Sequence, residues 1–308
     1  MTPSGKPAAV QGTGLARLWP VFLLLVLGLS WGGHFSLFKI AAESSLSYLG
    51  IIALTTSGVV IGMTVVAALR RRWPRFTGRH LRFYLVCAAL GYLIEFPLSL
   101  FVAEEIPAGL LAIIASTSPV FTSLIAIVAK VETVSRRRMA AVAVGLVAAA
   151  VVLVPGTAIP QPSMLTWVLI AFLIPVVYAT YHNYVAYDWP DGSDSWQVAF
   201  GEVLIATAIV LPIYLVGDRS VVVLGAWSPG TWTVFVMAAL ALIEIYLYFE
   251  IVRLAGAVFV SLTSFVSIVA GVLWGMILFG EQHNAWIWLA VVLLGLSIFL
   301  AREKNAEG

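Results

Sequence analysis

Charge is scarce in this chain. Asp, Glu, Lys and Arg make up 10% of its 308 residues, where a soluble domain carries about 25%. So few charges cannot cover a water-facing surface. With 61% hydrophobic residues and a mean hydropathy of +1.02, the composition excludes a soluble protein and places the chain in a membrane. Cysteine is nearly absent: a lone Cys87 in an apolar run excludes an internal disulfide framework and a cysteine-based zinc site. The four histidines, His34, His80, His182 and His283, fall in no metal-binding spacing, so neither metal nor cofactor is expected. No Walker loop is present, which excludes a nucleotide-driven pump. No nucleic-acid-binding domain accompanies the basic clusters.

What the chain has in abundance is long apolar runs. A membrane-crossing helix needs about 20 largely apolar residues. The runs fall at 19–41, 47–69, 82–103, 108–130, 138–155, 164–186, 196–216, 232–253, 256–279 and 285–302. Their length and lack of two-residue alternation predict helices rather than barrel strands. The expectation is an all-α polytopic membrane protein of ten transmembrane helices, the eighth and ninth divided around Arg253 and Gly256. The first run follows Lys6 and Arg17 but is too long for a signal peptide, and Lys39 and Glu43 replace a small-residue cleavage site; it reads as an uncleaved first helix.

An even span number puts both termini on one side. That side collects 15 of the 17 Lys and Arg, leaving Lys39 and Arg219 opposite. Basic loops stay in the cytoplasm, so both termini are expected inside a cell (inner or plasma) membrane. The clusters Arg70-Arg71-Arg72-Trp73-Pro74-Arg75 and Ser135-Arg136-Arg137-Arg138 read as topology signals and lipid head-group contacts. The acidic stretch Asp188–Asp194 reads as a solvated turn, with Ser193 or Asp194 capping the seventh helix.

Shifting the chain by 149 residues places Leu93-Ile94-Glu95 on Leu242-Ile243-Glu244. It also pairs Ala108 with Ala257, Ser118 with Ser267 and Glu132 with Glu281. Two matched glutamates among 15 acidic residues mark a repeat, residues 1–157 and 158–308. Five helices per repeat is an odd number, so the halves run in opposite senses. Inverted repeats are typical of alternating-access carriers with a midplane substrate site.

Particular residues strengthen this reading. Ser30-Trp31-Gly-Gly-His-Phe-Ser-Leu-Phe-Lys39 and Ala115-Ser-Thr-Ser-Pro119-Val-Phe, followed by Glu132 and a small-residue helix closing near Pro155, are one set. Ser261-Leu-Thr-Ser-Phe and Trp274-Gly-Met-Ile-Leu-Phe-Gly-Glu281 form the second. Together they resemble an EamA-type member of the drug/metabolite transporter superfamily over nearly the whole chain. The resemblance implies an exporter-like carrier with a central cavity, some members handling amino acids or other small metabolites. Ile268 stands where the first repeat has Pro119, and Glu95, Glu244 and His34 are not generic to the family.

Acidic groups at membrane depth are costly and usually face a cavity. Glu95 and Glu244 each lie nine residues from a charged helix end, Glu104 and Arg253, roughly 13 Å in at 1.5 Å per residue. They are expected on opposing walls of one cavity, binding an amino-bearing substrate or carrying a coupled proton; the alternative is a protonated side chain bonded to a neighbouring helix. His34 is either a substrate or proton contact or a packing histidine. Tyr92, Phe96, Tyr178, Tyr181, Tyr246, Tyr248 and Trp274 are the candidate aromatic walls, and Tyr92, Phe96 and Glu95 are not expected to share one face. Glu202 is weighed equally between cavity and interface, and His182 is placed at the interface. Glu250–Arg253 and Lys39–Glu43 read as local ion pairs, and Glu132 and Glu281 as loop or cap residues. Pro97, Pro119, Pro175 and Pro212 predict breaks in the helical ladder. Gly271 and Gly275 predict close helix contacts, which intrachain packing explains as well as dimerisation, so monomer and weak homodimer both stand.

The expected function is a secondary active or facilitative transporter of small organic metabolites such as amino acids or amines, with export the expected direction. Membrane lipid and a small-molecule substrate are the expected partners, with proton coupling as an option. A channel is disfavoured by the repeat and the lack of a filter sequence. An intramembrane enzyme is disfavoured by the lack of converging nucleophile, base or metal groups.

Overall fold

The computed structural model describes residues 14–44, 46–128, 136–153, 162–217, 229–261 and 263–301. Every regular element among them is helical. In chain order they are α1 (Gly14–Ala42), α2 (Tyr48–Arg70), α3 (Gly78–Ala88), a π-helical segment (Ala89–Glu95), α4 (Phe96–Ala103), α5 (Ala108–Ala115), α6 (Ser118–Val128) and α7 (Arg136–Leu153). A short 3-10 turn then leads into α8 (Leu165–Ala171), α9 (Leu173–Tyr187), α10 (Ser195–Gly217), α11 (Pro229–Ser261), α12 (Thr263–Phe279) and α13 (Ala285–Ala301). Among the described residues, seven helical stretches are long and apolar enough to cross a membrane, and three shorter apolar helices accompany them.

Proline sets three of the interruptions. It lacks an N–H and its ring collides with the carbonyl four residues earlier. Pro97 follows the π segment, Pro119 follows the break at Ser116-Thr117 between α5 and α6, and Pro175 follows the step at Phe172 between α8 and α9. Pro212 sits within an unbroken α10. One expected division lies elsewhere: helical backbone continues past Arg253 and Gly256 to Ser261. Arg253 is bonded to Glu250 one turn back, so its charge is met on the helix itself and does not end it.

Local chemistry fixes several ends. Ser47 accepts from Gly50 N–H at 3.0 Å to start α2. Before α10, Asp194 accepts from Gln197 N–H at 2.9 Å and the Gln197 side chain accepts from Asp194 N–H at 3.2 Å. That reciprocal capping box selects Asp194 over Ser193 as the cap. Asp188–Asp194 is more than a solvated turn: Arg72 bonds Asp194 at 2.8 Å, Arg79 bonds Asp191 at 2.5 Å and Arg82 bonds Asp188 at 2.9 Å. These arginines find carboxylate partners within the chain. Lys39 and Glu43 pair at 3.0 Å, as their spacing predicts.

Two apolar cores result. One, around Phe83, Tyr84, Phe200 and Phe249, lies toward the arginine-rich end. The other, around Ile51, Ile106, Leu110 and Leu111, lies toward the opposite end. Tyr92 packs against both. α1 and α12 approach closely: a Cβ on Gly32 would meet the Ala270 Cβ at 2.5 Å and the Gly271 N at 2.8 Å. Gly271 thus serves packing within the chain.

Candidate functional site

Three helices turn one face each toward a common space between the cores. On α1, Trp31, His34, Phe35 and Phe38 recur at the spacing of a single helix face; on α11, Ala241, Glu244, Ile245 and Tyr248 do the same, and on α9, Tyr178, Tyr181 and His182 follow suit. The π segment, the α5–α6 break, Glu202 of α10 and Ser264 and Ser267 of α12 complete the wall. The cavity volume is about 160 Å³, room for several waters or one small organic molecule.

Tyr92, Glu95 and Phe96 all line this space, contrary to the expectation that they could not. Their i, i+3, i+4 spacing is that of one face. The π segment, ending at Glu95, brings Leu90 and Gly91 to the wall as well. Such bulges often accompany functional sites.

Three carboxyl groups reach the cavity: Glu95, Glu202 and Glu244, at 6%, 1% and 6% exposure. Among the described residues no lysine or arginine lines it. Glu244 is the most heavily partnered. Its Oε1 accepts from the Ser30 hydroxyl and lies 3.0 Å from His34 Nδ1. Glu95 accepts from Ser99 at 2.5 Å, and the Tyr178 hydroxyl also reaches it. Glu202 accepts from the Tyr181 hydroxyl at 2.7 Å. Burying a carboxyl is tolerable only with such partners. The arrangement offers acceptors and exchangeable protons, and it has no fixed cation to meet an anion.

Aromatic rings supply the remaining wall. Trp31 stacks on Tyr178 at 6.4 Å and faces Tyr248 at 5.9 Å; Tyr178 stacks on His182 and Tyr181 on Tyr248. Ring faces carry negative quadrupole charge, so this wall suits a cation or a planar ring. His182 lies in the cavity rather than at an interface, bonded through Nδ1 to the Tyr248 hydroxyl at 2.9 Å. Its place follows from the i, i+4 step from Tyr178, a signal readable in the sequence.

Two candidates lie off the site. Tyr246 packs on Trp196 at 6.0 Å, on a different face of α11 from Glu244 and Tyr248. Trp274 is 42% exposed, on the outer side of α12 near Gly33. At the end opposite the arginines, Glu281 spans the start of α5, accepting from Ala108 N–H at 2.7 Å and Gly109 N–H at 3.0 Å. It caps a helix, as one sequence reading had it; its repeat mate Glu132 lies outside the described residues.

Residues 18–154 and 165–302 each match the family model described as the EamA-like transporter family. A solved structure described only as "Crystal structure of protein" is similar over 92% of this chain and 97% of its own, with a TM-score of 0.63 and 14% identity, which is a likeness of fold. No curated protein matches the chain.

Proposed function

The chain belongs to the EamA-like transporter family, and from that premise we propose that it is a secondary carrier moving a small amine-bearing metabolite, an amine or an amino acid, by alternating access. The observation that carries this reading is the cavity's chemistry: three buried carboxyls among stacked rings and, among the described residues, no lysine or arginine on the wall. An ammonium group complements both the carboxylates and the ring faces. Glu95 and Glu244, with His34 beside Glu244, are the groups that would hold it, and Trp31, Tyr178 and Tyr248 would flank the rest of the molecule.

The two family repeats each supply one central glutamate, at positions 149 residues apart. Both line one cavity. This supports opposed five-helix halves, with the seven long spans and three shorter apolar helices as the ten crossings. The bias of Lys and Arg supports cytoplasmic termini in an inner or plasma membrane. Export is the direction the family resemblance favours.

Purified protein in liposomes tests the reading. Tyramine and phenylalanine are presented outside, with and without the same solute inside. Saturable uptake stimulated by internal solute is expected. Linear, unsaturable flux of both would indicate a channel and sink the carrier reading.

A further inference from the structure

Glu202 differs from the other two cavity acids in what surrounds it. Glu95 and Glu244 share the field of His34, the base bonded to Glu244. Among the described residues, the ionisable groups facing Glu202 are Cys87 from α3, Tyr92 from the π segment, Tyr181 from α9 and Tyr248 from α11; His182 of α9 lines the same cavity beside Tyr181 but is bonded to the Tyr248 hydroxyl, not to Glu202. α2, also packed against α10, has no ionisable group between Tyr48 and Arg70. Thiols and phenols are ordinarily neutral near pH 7, so among the described residues Glu202 has no cationic partner to balance a negative charge. An unbalanced carboxylate in a dry membrane interior is strongly unfavourable. Glu202 must therefore hold a proton whenever its surroundings are dry, and can release it when water enters.

Its position suits such a cycle. Glu202 lies seven residues into α10 from Ser195, roughly 10 Å from the arginine-rich end. It lacks a repeat counterpart: the residue 149 positions earlier is Ala53. It also touches a deformable element, since a Cβ on Gly91 of the π segment would stand 3.2 Å from Glu202 Oε1. That segment ends at Glu95. A change of charge on Glu202 thus acts directly on the backbone that carries a substrate acid.

We propose that Glu202 is the proton-coupling site of the carrier, separate from the amine-holding acids Glu95 and Glu244. One proton taken up at Glu202 from one side and released to the other is exchanged for one ammonium moving the opposite way. The proposal rests on the carrier reading above.

Two measurements on the full chain test it. Infrared difference spectra between acidic and alkaline buffer, on purified protein without added solute, should show the carbonyl stretch of a protonated carboxyl. Glu202→Gln should remove one component of that band, the other acids keeping theirs, and Glu202→Asp should keep that component at a shifted position. In liposomes with an imposed pH gradient, wild type should accumulate tyramine. In Glu202→Gln, accumulation relative to tyramine exchange should fall by about tenfold or more, within the usual range of coupling between two ligands. Glu202→Asp should restore part of it. Gradient-driven accumulation that survives in Glu202→Gln at the wild-type ratio overturns the proposal, as does an unchanged infrared band. Absence of saturable flux in wild type would sink the carrier reading itself, and with it the coupling role, whatever the infrared band shows.

Discussion

His34 and Glu244 stand 210 residues apart in the chain and 3.0 Å apart in space, imidazole Nδ1 to carboxylate Oε1. The bond joins a residue of the first family repeat to a residue of the second across the cavity wall. Because the same oxygen accepts from Ser30, removing either partner leaves a buried polar group short of a bond.

The pair should therefore act as one unit. His34→Ala and Glu244→Gln are each expected to lower tyramine transport, and the double variant to cost little more than the worse single one. Coupling of about 0.5–3 kcal/mol is usual for residues in one network. Transport kinetics of the four proteins in liposomes measure it; strictly additive losses would separate the two residues.

Aromatic stacking carries a second expectation. Tyr178 combines a ring stacked on Trp31 with a hydroxyl that reaches Glu95. Tyr178→Phe keeps the ring and should weaken the apparent affinity for tyramine only modestly, while Tyr178→Ala removes the cation-facing surface. A cation–π contact is worth about 0.5–2 kcal/mol, so KM should rise by a few-fold to tens of fold in the alanine variant. Equal KM values for the two variants would deny the ring its role.

Part of this site was legible in the sequence, and the reason is scarcity. In a chain with so few charges, Glu95 and Glu244 stand out inside apolar runs, and their matched positions single them out further. Glu202 could not be resolved that way, because an acid two turns inside a helix faces water or a cavity according to what packs beside it. Tyr246 lies off the cavity for a related reason: nearness in sequence to a central acid does not fix the helix face. Face assignment needed the spacing to Glu244 and Tyr248, which excludes Tyr246. The partnership of Arg72, Arg79 and Arg82 with Asp194, Asp191 and Asp188 was hidden because the residues are more than a hundred positions apart.

Glu281 gives a stability prediction. Its two oxygens satisfy the first N–H groups of α5, at the positive end of that helix's dipole. Glu281→Ala should cost about 0.5–2 kcal/mol, the usual range for a lost N-terminal cap. Thermal unfolding in detergent should show it as a lower Tm, and an unchanged Tm would remove the cap from the account of α5.

The same loop predicts a pH dependence. Burial lowers the pKa of His283 below its ordinary 6.5, with the nearby Glu281 opposing the shift. The fold thus favours the neutral ring. This contribution to stability is fully present above pH 6.5 and is lost as the pH falls through the lowered value. Tm should therefore decline on acidification below pH 6.5, and the decline should be shallower in His283→Gln. Identical pH profiles would show that His283 does not titrate with folding.

The ion pairs at the arginine-rich end bear on movement. Arg72, Arg79 and Arg82 belong to the first repeat, and Asp194, Asp191 and Asp188 to the second. Arg79 also donates to the Trp189 carbonyl at 3.2 Å, and Gln197 donates to the Trp73 carbonyl at 3.0 Å. Each exposed pair is weak alone because water screens it, but together they tie the two repeats at the arginine-rich end. If the halves must part there for the site to change sides, a covalent tie should stop transport. Arg79→Cys with Asp191→Cys provides the anchor points for a bifunctional thiol reagent that spans the length of the lost arginine side chain, a gap longer than a direct disulfide bridges, and the native Cys87 is buried and does not compete. Cross-linking with a reagent that itself carries a disulfide should abolish tyramine exchange in that variant and reduction should restore it, with neither single cysteine affected. Exchange that continues at full rate in the cross-linked protein would place the moving contact elsewhere in the fold.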